Sequence, residues 1–352
     1  MSNYTSEEEK NQEIIIEEKY TNKKNQNLEL VNFMTKHITE NAIFRMNECG
    51  SYLEFIADES LDNRKLNKAN FCTNRFCPMC AWRKSKRDAT QISILMEYLK
   101  KEVGYEFIFL TLTAPNVPGE NLEEEIKDFN KSLERLIKRK EFEKINKGYI
   151  RKLEVTYDKE EFITKELYKK KKDYYKNKGL KVGDNNPTFN TYNPHFHIII
   201  AVTKSYFTSK DYLSRGKFLE LWKESKRDNR ITQVKVEKIT NKGKSNPVLE
   251  IAKYSSKDSE YTVNQDVFDI FYNALKGKQL ITYNKAFKEV IKLYKNGDLD
   301  YLKEVDLNYY VYLVSHIWNF DENKYSLFNF KPLSHEEKLK YNKKLINEIE
   351  ID

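Results

Sequence analysis

Residues 193–202 read NPHFHIIIAV, and the rest of the chain can be arranged around this stretch. Apolar side chains alternate with other residues from Phe196 to Val202, which predicts a β-strand with one apolar face. His195 and His197 fall on the opposite face, about 6.7 Å apart along the strand. Two imidazoles on one face can bind a metal ion if a carboxylate stands nearby. A His-x-His strand is nevertheless more often an ordinary surface, so the motif needs support from elsewhere.

The segments on both sides of this strand alternate between β-rich and helical patterns. Strands are predicted at 105–113, 149–157, 194–203 and 231–239, and helices at 121–140, 210–224 and 247–261. The order β-α-β-β-α-β-α predicts an α+β fold with a ferredoxin-like, split βαβ core and one extra helix. The lysine-rich link 158–190 is then a long insertion, which we expect to be mobile or to become ordered on DNA.

The strand predicted at 149–157 can supply the carboxylate. Its polar face carries Lys152, Glu154 and Thr156. If this strand pairs antiparallel with the histidine strand, Glu154 stands beside His195 and His197. Two imidazoles and one carboxylate suit Mn²⁺ or Mg²⁺ in a phosphate-transfer site with open coordination positions. The alternative is that Glu154 is an ordinary exposed strand residue.

All four cysteines of the chain follow the spacing C-x22-C-x4-C-x2-C. Four thiolates satisfy tetrahedral zinc, and a site closed in this way is structural rather than catalytic. Buried free cysteines are the alternative. Basic residues follow directly, at the start of a predicted helix, and could contact a DNA backbone, although a solvated basic face fits nearly as well. The zinc ligands would be Cys49, Cys72, Cys77 and Cys80, and the DNA contacts Arg83, Lys84 and Arg87.

The predicted helix 247–261 carries Glu250, Tyr254 and Tyr261 at helical spacing on one face. Tyrosine can attack a phosphodiester when a metal ion polarises the phosphoryl oxygen. Glu250, one turn away, could activate water as a second nucleophile. Lys253 and Lys257 could hold the phosphate. A solvated helix face with partly buried rings is the alternative.

Composition agrees with a nucleic-acid partner. Charged residues are 33% of the chain, the net charge is +8, and there are 24 tyrosines and 20 phenylalanines. Lysines can bind phosphates and aromatic rings can stack on bases, although lysine is common throughout this chain and net charge alone decides little. No stretch approaches the ~20 apolar residues of a membrane span. The acidic start, SEEEKNQE, argues against a signal peptide, so we expect a cytoplasmic protein.

Taken in order, these motifs resemble those of the rolling-circle plasmid replication initiators of the HUH endonuclease superfamily. The resemblance is to the branch that has Glu and Tyr in its last motif, and it extends from Cys49 to Tyr261. The segments that carry it are ECG, FCTNRFCPMCAWR, FLTLTAPN, LEVTYD, NPHFHIIIAV and EIAKYSSKDSEY.

The resemblance implies a metal-dependent, site-specific DNA endonuclease and strand transferase. Tyr254 would attack one strand at a plasmid origin, giving a 5′-phosphotyrosine and a 3′-OH primer. The metal would sit at His195 and His197, with Glu154 at the variable third ligand position. Glu250 would act as the base for the water that ends the cycle, with Tyr261 a less favoured second nucleophile.

The resemblance also implies partners. Family members act on single-stranded DNA extruded from a hairpin and recruit a host helicase, and the chain has no P-loop motif of its own for unwinding. A transposase or relaxase with the same chemistry remains an alternative, as does a zinc-containing repressor without catalytic activity. A metal-dependent hydrolase of small substrates agrees less well with the basic, aromatic composition.

The sequence suggests four regions. Residues 1–30 are expected to be a disordered or loosely docked tail, and residues 31–104 to be the zinc module with its basic helix. Residues 105–262 would form the nicking domain. Residues 263–352 should be mainly helical, and could recognise origin DNA, form a homodimer or cover the sheet.

Overall fold

The computed structural model of the chain describes residues 6–240, 247–252, 261–342 and 344–348. The chain divides into two compact units. The first unit contains Met1–Ile94 and Asn296–Asp352, and the second contains Leu95–Lys295. Among the helices of the described ranges, none combines the length and the apolar character needed to cross a membrane.

The described ranges contain helices and antiparallel strands in both units. The helices are α1 (Ser6–Met34), α2 (Glu40–Asn47), α3 (Pro78–Lys101), α4 (Leu122–Ile137), α5 (Lys140–Ile145), α6 (Lys165–Lys170), α7 (Lys172–Asn177), α8 (Arg215–Lys226), α9 (Pro247–Ala252), α10 (Gln265–Leu275), α11 (Ala286–Asn296) and α12 (His335–Tyr341). The strands are β1 (Tyr52–Ala57), β2 (Arg64–Ala69), β3 (Tyr105–Leu112), β4 (Gly148–Asp158), β5 (Thr191–Thr203), β6 (Val234–Lys238), β7 (Ile281–Lys285), β8 (Tyr312–Asn319) and β9 (Lys324–Pro332). The α+β class predicted from the sequence is confirmed.

The second unit is built on a five-stranded antiparallel sheet in the order β6-β3-β5-β4-β7. The histidine strand β5 lies at its centre, between β3 and β4. Along the chain the elements follow as β3-α4-β4-β5-α8-β6, which is the predicted order. The fifth strand, β7, was not predicted, and it pairs with the outer side of β4.

Helices α4 and α8 cover the apolar face of this sheet. Phe196 of β5 is fully buried, and its ring meets the ring of Phe129 in α4 edge to face, with centroids 5.4 Å apart. Trp222 of α8 packs against the same Phe129 ring, at 5.5 Å. Because side chains alternate along a strand, this packing leaves His195 and His197 on the opposite face.

The insertion between β4 and β5, which we expected to be mobile, has a folded structure of its own. It contains α6 and α7, and Tyr175 of α7 is fully buried. The backbone N–H of Ile163 donates to the carbonyl of Asp184, and the N–H of Gly183 donates back to the carbonyl of Ile163, both at 2.9 Å. Pairing within the insertion therefore replaces the disorder that its lysine content suggested.

The first unit also differs from expectation. Residues expected to form a tail lie in α1, where Lys24, Leu30 and Met34 are fully buried. Residues expected to be mainly helical instead supply β8 and β9 to a four-stranded sheet in the order β2-β1-β8-β9. The reason is pairing between distant segments: β1 finds its partner β8 about 260 residues later in the chain.

Candidate active site

The pairing of β4 and β5 brings the predicted ligands together. In this register Glu154 lies opposite His195, and Lys152 lies opposite His197. On the other side of β5, Thr111 of β3 lies opposite His197. The antiparallel pairing on which the sequence argument depended is therefore present, and it places a carboxylate beside both imidazoles.

Glu154, His195 and His197 form a compact set, which we call the His–Glu site. The Glu154 Oε2 atom lies 3.2 Å from His197 Nε2 and 3.9 Å from His195 Nε2. One ligand atom from each residue lies within 4.8 Å of the others. The three side chains keep only 12 to 19% of their surface exposed, which limits water but still leaves an opening for a substrate.

Neighbouring groups orient both imidazole rings. His195 Nδ1 lies 3.2 Å from the carbonyl oxygen of Asn193, and since a carbonyl only accepts, Nδ1 donates. His197 Nδ1 lies 3.1 Å from Thr111 Oγ1, and the ring stacks on Phe109 at 5.5 Å. In neutral His195 Nε2 is then the acceptor, which is the form that binds a metal ion, while His197 Nε2 faces the Glu154 carboxylate. Two imidazole nitrogens and one carboxylate oxygen converge, as a cation site requires.

The electrostatics of Glu154 and His195 also favour the binding of a cation. Burial alone would raise the pKa of Glu154, but the hydrogen bond with His197 and the charge of Lys152 outweigh it and lower the pKa to about 2. Burial lowers the pKa of His195 to about 4. At neutral pH the carboxylate is therefore ionised and His195 is neutral, so neither ligand must lose a proton before it binds a metal ion.

Lys152 is a site residue for which sequence reasoning gave no role. Its side chain is only 1% exposed, and Nζ lies 3.5 Å from Glu154 Oε2. Nζ also donates to the backbone carbonyl of Glu250 in α9, at 3.0 Å. This ammonium links helix α9 to the His–Glu site. The available signal was its position two residues before Glu154, which puts both side chains on one face of β4.

Only part of the predicted nucleophile helix falls within the described ranges. Pro247 begins α9, and Glu250 lies on it. Tyr254, Lys253 and Lys257 lie outside the described residues. Tyr261 is described and is fully buried, with its ring against Phe268 and Phe271 at 6.2 and 6.1 Å. A phosphate could reach Tyr261 only if this packing opened.

The four cysteines cluster in the first unit. The Sγ atom of Cys80 lies 3.6 Å from those of Cys49 and Cys72, and Cys77 Sγ lies 3.5 Å from Cys49 Sγ. A zinc ion with Zn–S bonds of about 2.3 Å separates its sulfurs by about 3.8 Å in a tetrahedron. The cluster therefore has the donor type, number and spacing of a structural zinc site, and none of the four is in a disulfide.

A buried lysine lies against this cluster. The Lys24 ammonium, on α1, donates to the backbone carbonyls of Asn47 and Cys49. Burial lowers the pKa of Lys24, while the neighbouring thiols favour its charged form. A zinc ion bound by four thiolates carries two net negative charges, so an ammonium beside it is a matched counter-charge.

The basic residues after the cysteines are largely occupied within the chain. Arg83 donates to Glu348 at 2.9 Å and lies over the ring of Phe71. Lys84 forms an ion pair with Asp88 at 2.6 Å, one helical turn away. Arg87 is exposed. Of the three predicted DNA contacts, only Arg87 is therefore presented without one of these carboxylate partners.

Comparison with known proteins adds the family. Residues 63–326 match the family model Rep_1, described as replication protein. The chain belongs to this family. It is 45% identical over 249 residues to Protein rep of Staphylococcus aureus, an alignment that covers 70% of the chain and 96% of the relative. It is 32% identical over 276 residues to Protein rep of Streptococcus pneumoniae, covering 75% of the chain and 77% of the relative.

The Rep_1 match includes the whole His–Glu site, the segment 247–261 and three of the four cysteines. No solved structure matches the chain significantly. The features that the sequence singled out therefore fall within the part of the chain that defines a replication protein.

Proposed function

We propose that this replication protein initiates rolling-circle replication of a plasmid by nicking one DNA strand at the origin. The observation that carries the proposal is the convergence of Glu154, His195 and His197 on one sheet face, in a chain of the Rep_1 family. The nick would leave a 3′-OH primer and a 5′-phosphotyrosine.

The sheet order supports an HUH-type core. The strands β6-β3-β5-β4, with α4 and α8 on one face, have the connectivity of a ferredoxin-like split βαβ unit. In this arrangement the central strand β5 presents both histidines on the face opposite α4 and α8. The resemblance in the motifs and the connectivity of the sheet are separate observations that agree.

The residues present fit a divalent metal ion. His195 Nε2, His197 Nε2 and Glu154 Oε2 would hold Mn²⁺ or Mg²⁺, since two neutral imidazoles and a carboxylate suit such ions. A bound ion would polarise a non-bridging phosphate oxygen and offset the charge that develops there. Thr111 and the Asn193 carbonyl hold the rings in the binding orientation.

The nucleophile would come from the residues that follow α9 in the sequence. In the proposed reaction the Tyr254 phenol loses its proton to solvent and its oxygen bonds to the scissile phosphorus as the bond to the 3′ oxygen breaks; that oxygen takes up a proton from solvent and leaves as the primer hydroxyl. Lys152 holds the Glu250 backbone next to the His–Glu site, which positions the start of this segment. Lys253 and Lys257 would contact the flanking phosphates.

Glu250, on α9, would end the reaction. Glu250 would take a proton from a water molecule that attacks the phosphorus of the phosphotyrosine after one round of replication; the bond from phosphorus to the Tyr254 oxygen breaks, the strand is released with a 5′-phosphate, and the phenolate takes up a proton. We further propose that Cys49, Cys72, Cys77 and Cys80 hold a structural Zn²⁺, because their sulfur spacing fits one.

Single-stranded origin DNA from a hairpin and a host helicase are the proposed partners, and homodimer formation stays a prediction.

The test is a cleavage assay on a single-stranded oligonucleotide that carries the plasmid's own origin, with Mn²⁺ or with EDTA. Wild type is compared with Tyr254→Phe, Tyr261→Phe and Glu250→Ala, and denaturing gels detect a covalent protein–DNA adduct. We expect a metal-dependent adduct in every variant except Tyr254→Phe. Glu250→Ala should form the adduct but fail to release it by hydrolysis.

The outcomes separate the alternatives. An adduct that persists in Tyr254→Phe and disappears in Tyr261→Phe would assign the nucleophile to Tyr261 and contradict the proposal. Tight origin binding without an adduct in any variant would instead support a repressor without catalytic activity. A double variant, His195→Ala with His197→Ala, should lose the adduct in Mn²⁺ while it still binds the oligonucleotide.

A further inference from the structure

The insertion between β4 and β5 has a fixed attachment to the sheet. Residues 159–190 are here called the insertion arm. Asp158, at the end of β4, accepts hydrogen bonds from Lys171 Nζ at 2.7 Å, Asn186 Nδ2 at 3.0 Å and Thr188 Oγ1 at 2.6 Å. One carboxylate of β4 thus holds the middle of the arm and its C-terminal end.

The arm carries positive charge that the protein does not neutralise. It holds nine lysines against five acidic residues. Within the described residues, Lys171 pairs with Asp158, whereas the exposed side chains of five other lysines form no ion pair. These five are Lys165, Lys169, Lys170, Lys172 and Lys176. Elsewhere in the second unit, exposed helical lysines such as Lys127 and Lys292 pair with glutamates on their own helices.

The arm also presents aromatic rings to solvent. Phe162 is 52% exposed, Phe189 43% and Tyr174 37%. Inside the arm, Tyr175 is buried and stacks on Tyr168 with ring centroids 5.9 Å apart, so the arm does have an interior. Exposed rings among unpaired lysines are the combination with which proteins bind single-stranded nucleic acid, since rings stack on bases and ammonium groups hold phosphates. Contacts to a duplex backbone use the lysines but leave the rings unexplained.

The position of the arm connects it to the reaction. Glu154 pairs with His195, and four residues further along the two strands Asp158 pairs with Thr191. Four residues of strand span about 13 Å. The arm is therefore rooted about 13 Å from the His–Glu site, in the same compact unit.

We propose that the insertion arm binds the single-stranded DNA that flanks the scissile phosphate. The lysines hold its phosphates, and Phe162 and Phe189 stack on its bases. The inference rests on the proposed nicking function and adds to it the surface that keeps the substrate strand in place next to the site.

The test compares two five-lysine variants of the full chain with equal change in net charge. The arm variant carries Lys165→Gln, Lys169→Gln, Lys170→Gln, Lys172→Gln and Lys176→Gln. The control variant carries Lys127→Gln, Lys131→Gln, Lys138→Gln, Lys288→Gln and Lys295→Gln. Binding of a fluorescent single-stranded origin oligonucleotide, and of the same sequence as a blunt duplex, is measured by anisotropy at several salt concentrations.

The arm variant should bind the single strand at least tenfold more weakly than the control variant. For the arm variant, the slope of log K against log salt concentration should be shallower by about 0.7 for each phosphate that the arm no longer neutralises. Phe162→Ala with Phe189→Ala should weaken binding about tenfold or more without changing that slope, because stacking involves no counterion release. Circular dichroism checks that each variant is folded.

Equal weakening in the arm and control variants would overturn the proposal, since net charge alone would then explain binding. An arm effect confined to the duplex would also overturn it. The adduct assay tests the nicking function separately from DNA binding by the arm. Wild-type adduct formation with no arm effect refutes the arm alone, whereas wild type without an adduct refutes the nicking function whatever the binding data show.

Discussion

Replacing Lys152 with methionine tests the most specific contact at the His–Glu site. The side chain is 1% exposed, and its Nζ has a hydrogen bond of 3.0 Å to the Glu250 carbonyl and an ion-pair distance of 3.5 Å to Glu154. Methionine keeps most of the volume but removes the charge. Removing one partner of a buried ion pair lowers the free energy of unfolding by about 3–5 kcal/mol. Because Glu154 keeps its contacts with the two histidines, we expect a decrease at the lower end, about 3 kcal/mol.

The loss should depend on metal. In EDTA the Glu154 carboxylate of Lys152→Met has lost the ammonium and has no metal ion to replace it. In saturating Mg²⁺ the bound ion neutralises Glu154, and the Lys152 ammonium no longer repels that ion. We therefore expect the destabilisation to fall to about half in Mg²⁺. Nicking should also slow, because the α9 backbone is no longer held at the site.

The assay is urea unfolding followed by tryptophan fluorescence. Trp222 is the single tryptophan of the second unit, so Trp82→Phe and Trp318→Phe make it the reporter for that unit. The matched control is Lys226→Met. Lys226 is also buried, and its Nζ lies 2.9 Å from Glu125 and 2.6 Å from Asp128, but these carboxylates belong to α4 and not to the His–Glu site.

Lys226→Met should be destabilised equally in EDTA and in Mg²⁺. If Lys152→Met behaves in the same way, the ammonium and the metal ion do not share Glu154, and the description of the site is wrong. A loss below about 1 kcal/mol in EDTA would show that the Lys152 contacts contribute no more than a surface pair.

Three further predictions concern other parts of the molecule. Thr111→Val should weaken Mn²⁺ binding about tenfold, measured by calorimetry, because His197 loses the group that orients its ring; unchanged affinity would contradict this. Cys80→Ser should remove bound zinc after dialysis, and a full zinc content by elemental analysis would exclude the four-cysteine zinc site. Burial lowers the pKa of His316 to about 4. As the pH falls, the unfolded chain therefore binds a proton at this residue before the folded protein does. The free energy of unfolding should fall between about pH 6.5 and about pH 4, by up to about 3 kcal/mol. His316→Phe should make that fall shallower in urea unfolding followed through Trp318, and an unchanged slope would refute the assignment.

The His–Glu site could be predicted because its pattern is local and regular. The alternation of side chains along 193–202 predicted which face of the strand carries the histidines. Antiparallel pairing with a single neighbouring strand was then enough to place Glu154 beside them. The alternation also predicted the apolar face that Phe129 and Trp222 cover. These inferences used one strand and its nearest neighbour, where side-chain direction follows directly from position.

Helix α1 was missed because two of its fully buried positions are polar. Lys24 and Asn27 occupy the stripe that continues with Leu30 and Met34, and all four are fully buried. Lys24 donates to the carbonyls of Asn47 and Cys49, and the side-chain amide N–H of Asn27 donates to the carbonyl of Met46. Those partners belong to another segment, so hydropathy along α1 alone could not predict that it docks.

Strands β8 and β9 were missed for a related reason. β9 is an edge strand whose Phe328 and Phe330 are exposed, so it lacks the alternation of a half-buried strand. β8 lies in the region 263–352, for which the sequence predicts mainly helices. Only the pairing of β8 with β1 shows that these residues belong to a sheet.

The discontinuity of the first unit has a consequence for synthesis on the ribosome. The four cysteines and strand β1 emerge early, but β8, the strand that pairs with β1, is not made until residues 312–319 are translated. The second unit, Leu95–Lys295, is a continuous segment and can complete its sheet during that interval. The nascent chain should therefore complete the unit that holds the His–Glu site first, and the unit that holds the cysteines should fold last, after β8 has been translated.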